Sequence, residues 1–190
     1  EVTPYTLNGN GIVRCTGSVA NSIFWIEPTP KVTLSTRQDT ICTSLRPSLD
    51  LTTITQSLQP VRFYYEAVYN PTDVSVFFVQ DTFNLSPGYT ITDSLVNHTT
   101  VPQEVIFIIY PYLSGTGGIR NCYGIPDTSH IWVAPTLRVV VDTISTYVGG
   151  NNIRCFGERN GIIRLMPEGG ITAFPNYDVF DLQYLWNNGR

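Results

Sequence analysis

The sequence has few charged residues and almost no lysine. Charged side chains make up only 14% of the 190 residues, against about 25% in ordinary soluble domains. Lys31 is the single lysine, and the formal net charge is −4. So few basic groups cannot neutralise a phosphate backbone, which excludes nucleic acid as a partner. A polar surface supplied mainly by Thr, Ser, Asn, Gln and Tyr favours an extracellular β-protein over a cytosolic enzyme.

Long hydrophobic runs and a targeting segment are also missing. The longest apolar run, Val105 to Ile109, is far too short to span a bilayer. The opening residues, Glu1 to Pro4, have neither the basic nor the apolar region of a signal peptide. We therefore expect an internal piece of a longer exported polypeptide, whose targeting signals lie elsewhere.

Motifs of catalytic sites are absent as well. The sequence contains no nucleophile elbow, no His-Glu-x-x-His and no phosphate-binding glycine loop. His130 lies two residues before Trp132 on an expected strand, which predicts a hydrogen-bonded sheet histidine rather than a general base. His98 lies in a polar Asn-His-Thr-Thr loop. No spacing places two carboxylates together for acid–base work. We predict that the protein is not an enzyme and needs no cofactor.

What is present is a repeat with a fixed offset. Every matched pair is 107 residues apart, since 122 − 15, 132 − 25 and 135 − 28 all give that value. The matched residues are Cys15-Thr16-Gly17 with Cys122-Tyr123-Gly124, Trp25 with Trp132, and Pro28 with Pro135. Such an offset indicates tandem copies of one structural unit, and its length is close to that of a β-sandwich domain.

Short strands separated by turn residues dominate the rest of the chain. Val61, Phe63, Tyr65 and Ala67 alternate with more polar residues, as on one face of a strand. Turn signals such as Asn-Pro and Pro-Gly separate the strand patterns. The strand-like segments begin at about residues 48, 61, 74, 89, 104 and 130. The pattern predicts an all-β chain of tandem immunoglobulin-like antiparallel β-sandwiches.

The repeat also predicts the division of the chain. Residues 1–34 are expected to be the C-terminal part of a preceding unit, and residues 35–140 a complete unit. Residues 141–190 leave the repeat register, so they are expected to begin a different module. Because most of the first unit is missing, residues 1–34 should be less completely packed than residues 35–140.

Two family resemblances follow from particular motifs. Residues 155–189 resemble the SprB repeat, and residues 36–140 resemble the PKD-like, immunoglobulin-fold domains that accompany such repeats. The SprB motifs are Cys155-Phe156-Gly157, Asn160-Gly161-Ile162, Gly169-Gly170 and Trp186-Asn187-Asn188-Gly189. The PKD-like motifs are Asp39-Thr40-Ile41-Cys42, Leu95-Val96-Asn97-His98-Thr99-Thr100 and Cys122-Tyr123-Gly124.

The resemblance implies a role outside the cell. Proteins of this kind are very large surface adhesins of gliding bacteria, exported by the type IX secretion system. It thus implies a secreted cell-surface stalk or adhesion segment. Its partners would be neighbouring repeats, the secretion and gliding machinery, and extracellular polysaccharide or other surfaces. Two alternatives stay open: a polysaccharide-binding β-sandwich module, and an accessory domain of a secreted hydrolase.

The four cysteines favour disulfides over a metal site in an exported β-protein. No Cys-x-x-Cys spacing is present, so a zinc site is not expected. If each unit carries an early and a late cysteine, Cys42 pairs with Cys122, while Cys15 and Cys155 pair outside the chain. The alternative joins Cys15 to Cys42 and Cys122 to Cys155, which would link adjacent units.

Aromatic residues are the candidate binding groups. Tyr64 and Tyr65 are predicted to contact a glycan from an exposed sheet face. The competing interpretation is that half of the aromatic residues on the expected strands face the core and the others cover a sheet surface. Trp25, Trp132 and Trp186 are expected to pack in cores, because they recur at corresponding places.

Two further kinds of site remain as hypotheses. Calcium could bind at unit junctions near Asp39, Asp127 and Asp142, although no spacing resembles a calcium loop. Asp-Ser/Thr-aliphatic triplets resemble the O-glycosylation acceptor of gliding bacteria, which predicts modification at Thr40, Ser94 and Thr143. The competing interpretation is coincidence, because Ser and Thr are abundant.

Overall fold

The computed structural model describes residues 1–78, 82–115, 120–173 and 184. These residues form β-strands and one short 3₁₀ helix, and the described part of the chain contains no α-helix. The strands are β1 Tyr5–Leu7, β2 Val13–Thr16, β3 Thr33–Leu34, β4 Gln38–Cys42, β5 Leu49–Thr52, β6 Val61–Val68, β7 Val74–Phe77, β8 Tyr89–Ile91, β9 Ser94–Asn97, β10 Gln103–Ser114, β11 Arg120–Tyr123, β12 Asp127–Ala134, β13 Arg138–Ile144 and β14 Ile163–Glu168; the 3₁₀ helix is Gly170–Ala173. The predicted all-β class is confirmed.

The larger sheet is built around β10. This strand pairs antiparallel with β6 along one edge and with β12 and then β11 along the other. β12 in turn pairs with β4 in parallel. β10 is rich in β-branched and aromatic residues, which favour strands, and it is central because it has neighbours on both sides. This sheet, comprising β4, β6, β10, β11 and β12, is called the large sheet below.

A second layer closes the sandwich. It consists of a three-stranded sheet, in the order β3-β5-β8, and the antiparallel pair β7–β9. Leu49, Leu51 and Ile91 from this layer pack in one core with Phe107 and Ile131 of the large sheet. The alternation of buried and half-buried residues along β6 and β10 follows from the two-residue period of a strand. The result is a sandwich that is antiparallel except for the β4–β12 pair, with the immunoglobulin-like character expected from the sequence.

The chain before the sandwich is exposed. Residues 1–26 contribute no buried residue, although β1 and β2 form a hairpin there. This agrees with the expectation of weaker packing at the N-terminus. Val32 and Leu34 differ from it, because both belong to the core of the sandwich. They do so because Leu34 pairs with Leu51 through β3 and β5.

After the sandwich the chain forms a second hairpin, β13–β14. Its register begins with Arg138 opposite Glu168, and these side chains form an ion pair at 2.5 Å. The predicted motif Trp186-Asn187-Asn188-Gly189 lies outside the described residues. Among the described ranges, no helix is long and apolar enough to cross a membrane.

One buried polar group in the core leads to a stability prediction. Ser129 lies on β12, is fully buried, and its hydroxyl has no hydrogen-bond partner. A buried hydroxyl without a partner costs about 1 to 3 kcal/mol. We expect Ser129→Ala to raise the free energy of unfolding by about 1 kcal/mol, measured by urea denaturation. The half-buried neighbour Thr128 gives the control variant, Thr128→Ala. Destabilisation by Ser129→Ala would mean that the hydroxyl has a partner.

Candidate functional site

The outer face of the large sheet carries a mixed aromatic and aliphatic surface. Inward residues of β10 such as Val105 and Phe107 are fully buried, whereas Ile106 and Ile108 between them are half-buried. Strand alternation therefore places a defined set of side chains on the outside. This set, called the outer face, is Arg62, Tyr64, Glu66, Glu104, Ile106, Ile108, Tyr110, Thr128, His130 and Trp132.

An aromatic cluster lies at one end of the outer face. Tyr64 and Tyr110 are directly opposite on β6 and β10, and their rings stack with centroids 4.6 Å apart and planes within 7°. Phe83 and Tyr112 complete the cluster, each with its ring about 6 Å from Tyr64. Offset stacking of this kind stabilises cross-strand pairs by about 1 kcal/mol. Tyr64 is thus held rigidly, and Phe83 is its most exposed neighbour.

Tyr65 does not face solvent, so its predicted glycan contact is wrong. It lies on the inward side of β6, is only 2% exposed, and packs near Phe107. Its hydroxyl donates a hydrogen bond of 2.7 Å to Asp93 Oδ2, a carboxylate that is itself buried. Burial, reinforced by Asp93, raises the pKa of the Tyr65 hydroxyl well above its usual value. The residue is part of the core.

The raised pKa of Tyr65 predicts a loss of stability in alkali. Below about pH 10 the phenol is protonated in both the folded and unfolded states. Above that pH the unfolded chain loses the proton while the folded chain keeps it, so the free energy of unfolding falls by about 1.4 kcal/mol per pH unit. Tyr65→Phe should cost about 2 kcal/mol at pH 8 and decline less steeply above pH 10. Urea denaturation at pH 8 and at several values above pH 10 tests this, with Tyr123→Phe as control. Parallel plots of the free energy of unfolding against pH for wild type and Tyr65→Phe would contradict it.

His130 behaves as a hydrogen-bonded sheet histidine, as the sequence predicted. Its Nδ1 lies 2.8 Å from Glu104 Oε1 across β12 and β10, and both side chains are partly exposed. The described residues contain no group of three or more His, Cys, Asp or Glu that could hold a metal ion, here or elsewhere. The pair links two neighbouring strands on the outer face.

The expected core positions of Trp25 and Trp132 are wrong. Trp132 is half-buried on the outer face, because strand alternation turns Ile131 and Val133 inward instead. Trp25 is 81% exposed in a segment that is not a strand. Trp186 lies outside the described part of the chain.

The predicted Cys42–Cys122 disulfide is also wrong for this fold. All four cysteines are free and exposed. Cys42 lies opposite Ala134, at the Gln103 end of β10, whereas Cys122 lies beside Leu113. Ten residues of β10 separate these levels, or about 33 Å, and a disulfide needs Cα atoms within about 7 Å. The alternative links, Cys15–Cys42 and Cys122–Cys155, are not formed either.

The proposed calcium residues have other bonds. Asp127 Oδ2 accepts a hydrogen bond of 2.6 Å from Arg37, and Asp39 Oδ1 accepts one from the amide of Thr40. Asp142 accepts one from the hydroxyl of Thr143. In the sheet register Asp39 lies opposite Ile131, four residues along β12 from Asp127, or about 13 Å. These two carboxylates are therefore not brought together.

The three predicted O-glycosylation sites differ in exposure. Thr143 is exposed on β13. Thr40 and Ser94 are half-buried within paired strands, and Asp93, which precedes Ser94, is buried and bonded to Tyr65. Modification at Thr40, Ser94 and Thr143 stays a prediction, which an intact-mass measurement on the native protein would test.

The connector that leads into the sandwich is tied to it by several hydrogen bonds. Glu27 accepts hydrogen bonds from the amides of Leu58 and Gln59, at 3.1 and 3.2 Å. The amide of Lys31 donates to Thr55 Oγ1 at 2.9 Å, and its carbonyl accepts from the Thr53 hydroxyl. The chain is thereby fixed along the loop between β5 and β6 before β3 begins.

The connector that leads out of the sandwich is tied as well. The carbonyl of Pro135 accepts a hydrogen bond of 2.9 Å from the amide of Gly170, so the outgoing chain is joined to the end of β14. A groove of about 540 Å³ lies beside it, lined by Thr99, Thr136 and the Arg138–Glu168 pair. Because the charges of Arg138 and Glu168 neutralise each other, we interpret the groove as a junction between elements rather than as a reaction site.

Sequence reasoning missed the residues that hold this end together. Asn97 is 5% exposed, and its amide nitrogen donates to the carbonyls of Val101 and Val133, both at 2.8 Å. Its Oδ1 accepts from the amide and hydroxyl of Thr99. The Asn-x-Thr pattern was a visible signal for such a turn, but its burial depends on β12. For Asp93, the buried partner of Tyr65, the sequence indicated only that it begins an Asp-Ser/Thr-aliphatic triplet.

Comparison with known proteins identifies the sandwich. A protein-family model described as a PKD-like domain matches residues 39–137, from β4 to just beyond the Pro135 connector. A search of curated proteins found no match. The matched segment covers 99 of the 190 residues, counted as 137 − 39 + 1. It contains most of the strands that form the closed core, except β3, which lies before it. No catalytic family is found, and the chain belongs to the PKD-like domain family.

Proposed function

We propose that this chain is a non-catalytic, load-bearing segment of a large cell-surface adhesin. The observation that carries the proposal is that the chain enters and leaves the sandwich at opposite ends. At the incoming end, the Pro30 carbonyl lies against Gly124, whose amide donates a hydrogen bond to the carbonyl of Pro111 on β10. At the outgoing end, Val133 lies opposite Gln103 of β10. Eight residues of β10 separate these levels, or about 26 Å. Units connected in this way extend a polypeptide rather than fold it back.

β4, which follows β3, and β12, which leads into the outgoing connector, resist tension because of their relative direction. β4 and β12 are parallel and pair from Gln38 with His130 to Cys42 with Ala134. Pulling the start of β4 and the end of β12 apart slides the strands along each other, so their hydrogen bonds are loaded together. The ladder is lengthened by the bonds from the His130 amide to Arg37 and from the Thr43 amide to Ala134. This arrangement suits a stalk under load.

The cellular setting is part of the same proposal. PKD-like domains usually occur in extracellular or surface proteins, which supports a position outside the cell. The SprB-like motifs between residues 155 and 189 support the finer proposal: a gliding-motility adhesin, exported by type IX secretion, that holds a binding region away from the outer membrane. Neighbouring repeats and the gliding machinery are the partners that this role requires.

A pulling experiment tests the load-bearing role. Attachment points at residues 36 and 136 load β4 and β12 along their length, whereas points at residues 36 and 125 peel the same strands apart from one end. Single-molecule force spectroscopy should give a several-fold higher unfolding force for the first pair. Similar low forces for both pairs of attachment points would show that the sandwich is not built to carry load in this direction.

A second candidate function is polysaccharide binding by the aromatic cluster. The observation in its favour is the rigid Tyr64–Tyr110 stack beside the exposed ring of Phe83. Flat, fixed rings are suited to stack on sugar rings. In a polysaccharide pull-down, Tyr64→Ala and Phe83→Ala should abolish capture, while Tyr5→Ala, on the exposed N-terminal hairpin, should not. Equal capture by all three variants would remove this candidate. Nothing in the described residues favours the hydrolase-accessory alternative.

A further inference from the structure

The N-terminal hairpin repeats the pairing of a hairpin inside the sandwich. At the offset of 107 residues, Tyr5 opposite Thr16 in β1–β2 corresponds to Tyr112 opposite Tyr123 in β10–β11. Leu7 opposite Val13 corresponds in the same way to Ser114 opposite Arg120. Each hairpin contains a register shift. At the offset of 107 residues, the shift in β10–β11 lies one residue earlier than the shift in β1–β2. The repeat is therefore one of strand pairing as well as of sequence.

Two further contacts extend the correspondence on both sides of this hairpin. The isolated bridge between Val2 and Ala20 falls at the positions of Ile109 and Asp127, which are opposite each other in β10 and β12. The Gly17 amide bonds the Pro4 carbonyl at 2.8 Å, as the Gly124 amide bonds the Pro111 carbonyl at 2.8 Å. At these positions residues 2–7 and 13–20 thus correspond in backbone pairing to residues 109–114 and 120–127.

The two copies differ in what covers them. Val2 is 70% exposed and its counterpart Ile109 is 0% exposed. Phe24 and Ile26 are 83% and 92% exposed, while their counterparts, Ile131 and Val133, are both 0% exposed. In the complete copy, β12 is covered because it lies between β10 and β4, over the second layer. The N-terminal copy has the apolar alternation of an inner strand without the strands that would cover it.

We propose that residues 1–27 are a docking element that completes a second PKD-like sandwich. The occupant of this surface is a set of strands equivalent to residues 31–107, placed N-terminal to Glu1 in the same polypeptide. Residues 22–27 become a strand between the equivalents of β10 and β4, which buries Phe24 and Ile26. Trp25 then lies on the outer face of that sandwich, as Trp132 does here. The inference rests on the matched pairing and does not depend on the load-bearing role.

The repeat itself supplies the test. Because residue 1 corresponds to residue 108, a copy of residues 31–107 joined directly before Glu1 keeps the register. In the 190-residue chain, chymotrypsin should cut readily after Phe24 and Trp25, and the amides of residues 22–27 should exchange rapidly. In the extended chain the cut should disappear, and exchange of these amides should slow on the order of 100-fold, because they join a closed sheet.

A control and a second variant make the result decisive. In the extended chain, Phe24→Asp with Ile26→Asp should restore cleavage after Trp25 and rapid amide exchange, since neither carboxylate can enter the core. If the plain extension stays cleavable, a version with Thr6→Leu, Phe24→Ile and Ile26→Val supplies the residues that the intact sandwich uses at these positions. Continued cleavage and rapid exchange in that version would overturn the proposal. The pulling experiment uses residues 36 and 136, so its outcome is independent of this one.

Discussion

Replacing Asn97 by alanine is expected to lower the free energy of unfolding by about 3 kcal/mol. Asn97 is buried at the end of β9, and its side chain makes four hydrogen bonds. Alanine would remove the Asn97 donor from the carbonyls of Val101 and Val133, although the Thr99 hydroxyl still donates to Val101, and it would leave the amide of Thr99 without its acceptor. A buried polar group without a partner costs about 1 to 3 kcal/mol, so several together are severe.

The position of Asn97 makes the loss more than local. Its bond to Val133 fixes the loop after β9 against the end of β12, which is the strand that leads into the outgoing connector. Its backbone amide donates a hydrogen bond to Thr43 Oγ1, just after β4. Asn97 therefore joins β9 to both strands of the parallel pair. We expect Asn97→Ala to lower the pulling force at residues 36 and 136 as well as chemical stability.

Two variants separate the hydrogen bonds from the turn itself. Asn97→Asp keeps the size of the side chain but replaces a double donor by a carboxylate, which repels the carbonyls of Val101 and Val133; it should cost at least as much at pH 7. Asn70 makes the same turn, accepting from the amide and hydroxyl of Thr72, but it is exposed. Asn70→Ala should cost less than about 1 kcal/mol. Equal costs for Asn70→Ala and Asn97→Ala in urea denaturation would contradict the assignment.

The sequence predicted the class of fold because strand alternation is a local signal. Val61, Phe63 and Tyr65 alternate with polar residues, and they are buried on β6 as that period requires. The period alone does not show which set faces the core, and the adjacent residues Tyr64 and Tyr65 illustrate this. Both are tyrosines on one strand, yet only the register with β10 and the bond to Asp93 determine that Tyr65 is inside. For that reason the predicted glycan contact at Tyr65 is wrong.

The disulfide prediction failed for a related reason. The repeat shows that a cysteine occupies the same place in two copies, at Cys15 and Cys122, but it does not give distances within one copy. The distance between Cys42 and Cys122 depends on which end of β10 each neighbouring strand reaches. That register is fixed by β10, β11, β12 and β4 together, and no short motif records it. The repeat predicted that residues 1–34 would be less completely packed than residues 35–140; residues 1–26 are exposed, but Val32 and Leu34 belong to the core.

A methyl group added at Gly124 is expected to be as damaging as the loss of the Asn97 side chain. The Cβ atom of alanine at this position would overlap the carbonyl oxygen of Pro30 and approach the ring of Pro111 to 2.8 Å. The first contact is with backbone, so no side-chain rotation relieves it. The incoming connector would have to move, although its ties to Thr53, Thr55 and Leu58 hold it in place.

Displacing that connector should loosen the core strand that follows it. Val32 and Leu34 lie immediately beyond Pro30 and are part of the hydrophobic core. We expect Gly124→Ala to lower the free energy of unfolding by about 3 kcal/mol and to speed amide exchange in β3 and in the loop between β5 and β6. Urea denaturation and hydrogen exchange measured on the same samples test the two parts separately.

Two other glycines provide matched controls for Gly124→Ala. Gly17 is its counterpart in the N-terminal hairpin, and a methyl group there also meets a proline ring, Pro4, at 2.8 Å, but no connector. Gly9 has nothing within 4 Å of the added atom. Both Gly17→Ala and Gly9→Ala should leave the sandwich within about 0.5 kcal/mol of wild type. If Gly124→Ala is equally harmless, the incoming connector does not lie against Gly124, just beyond β11, in solution. The separation of the two chain ends across the sandwich, on which the load-bearing role depends, would then lose its basis.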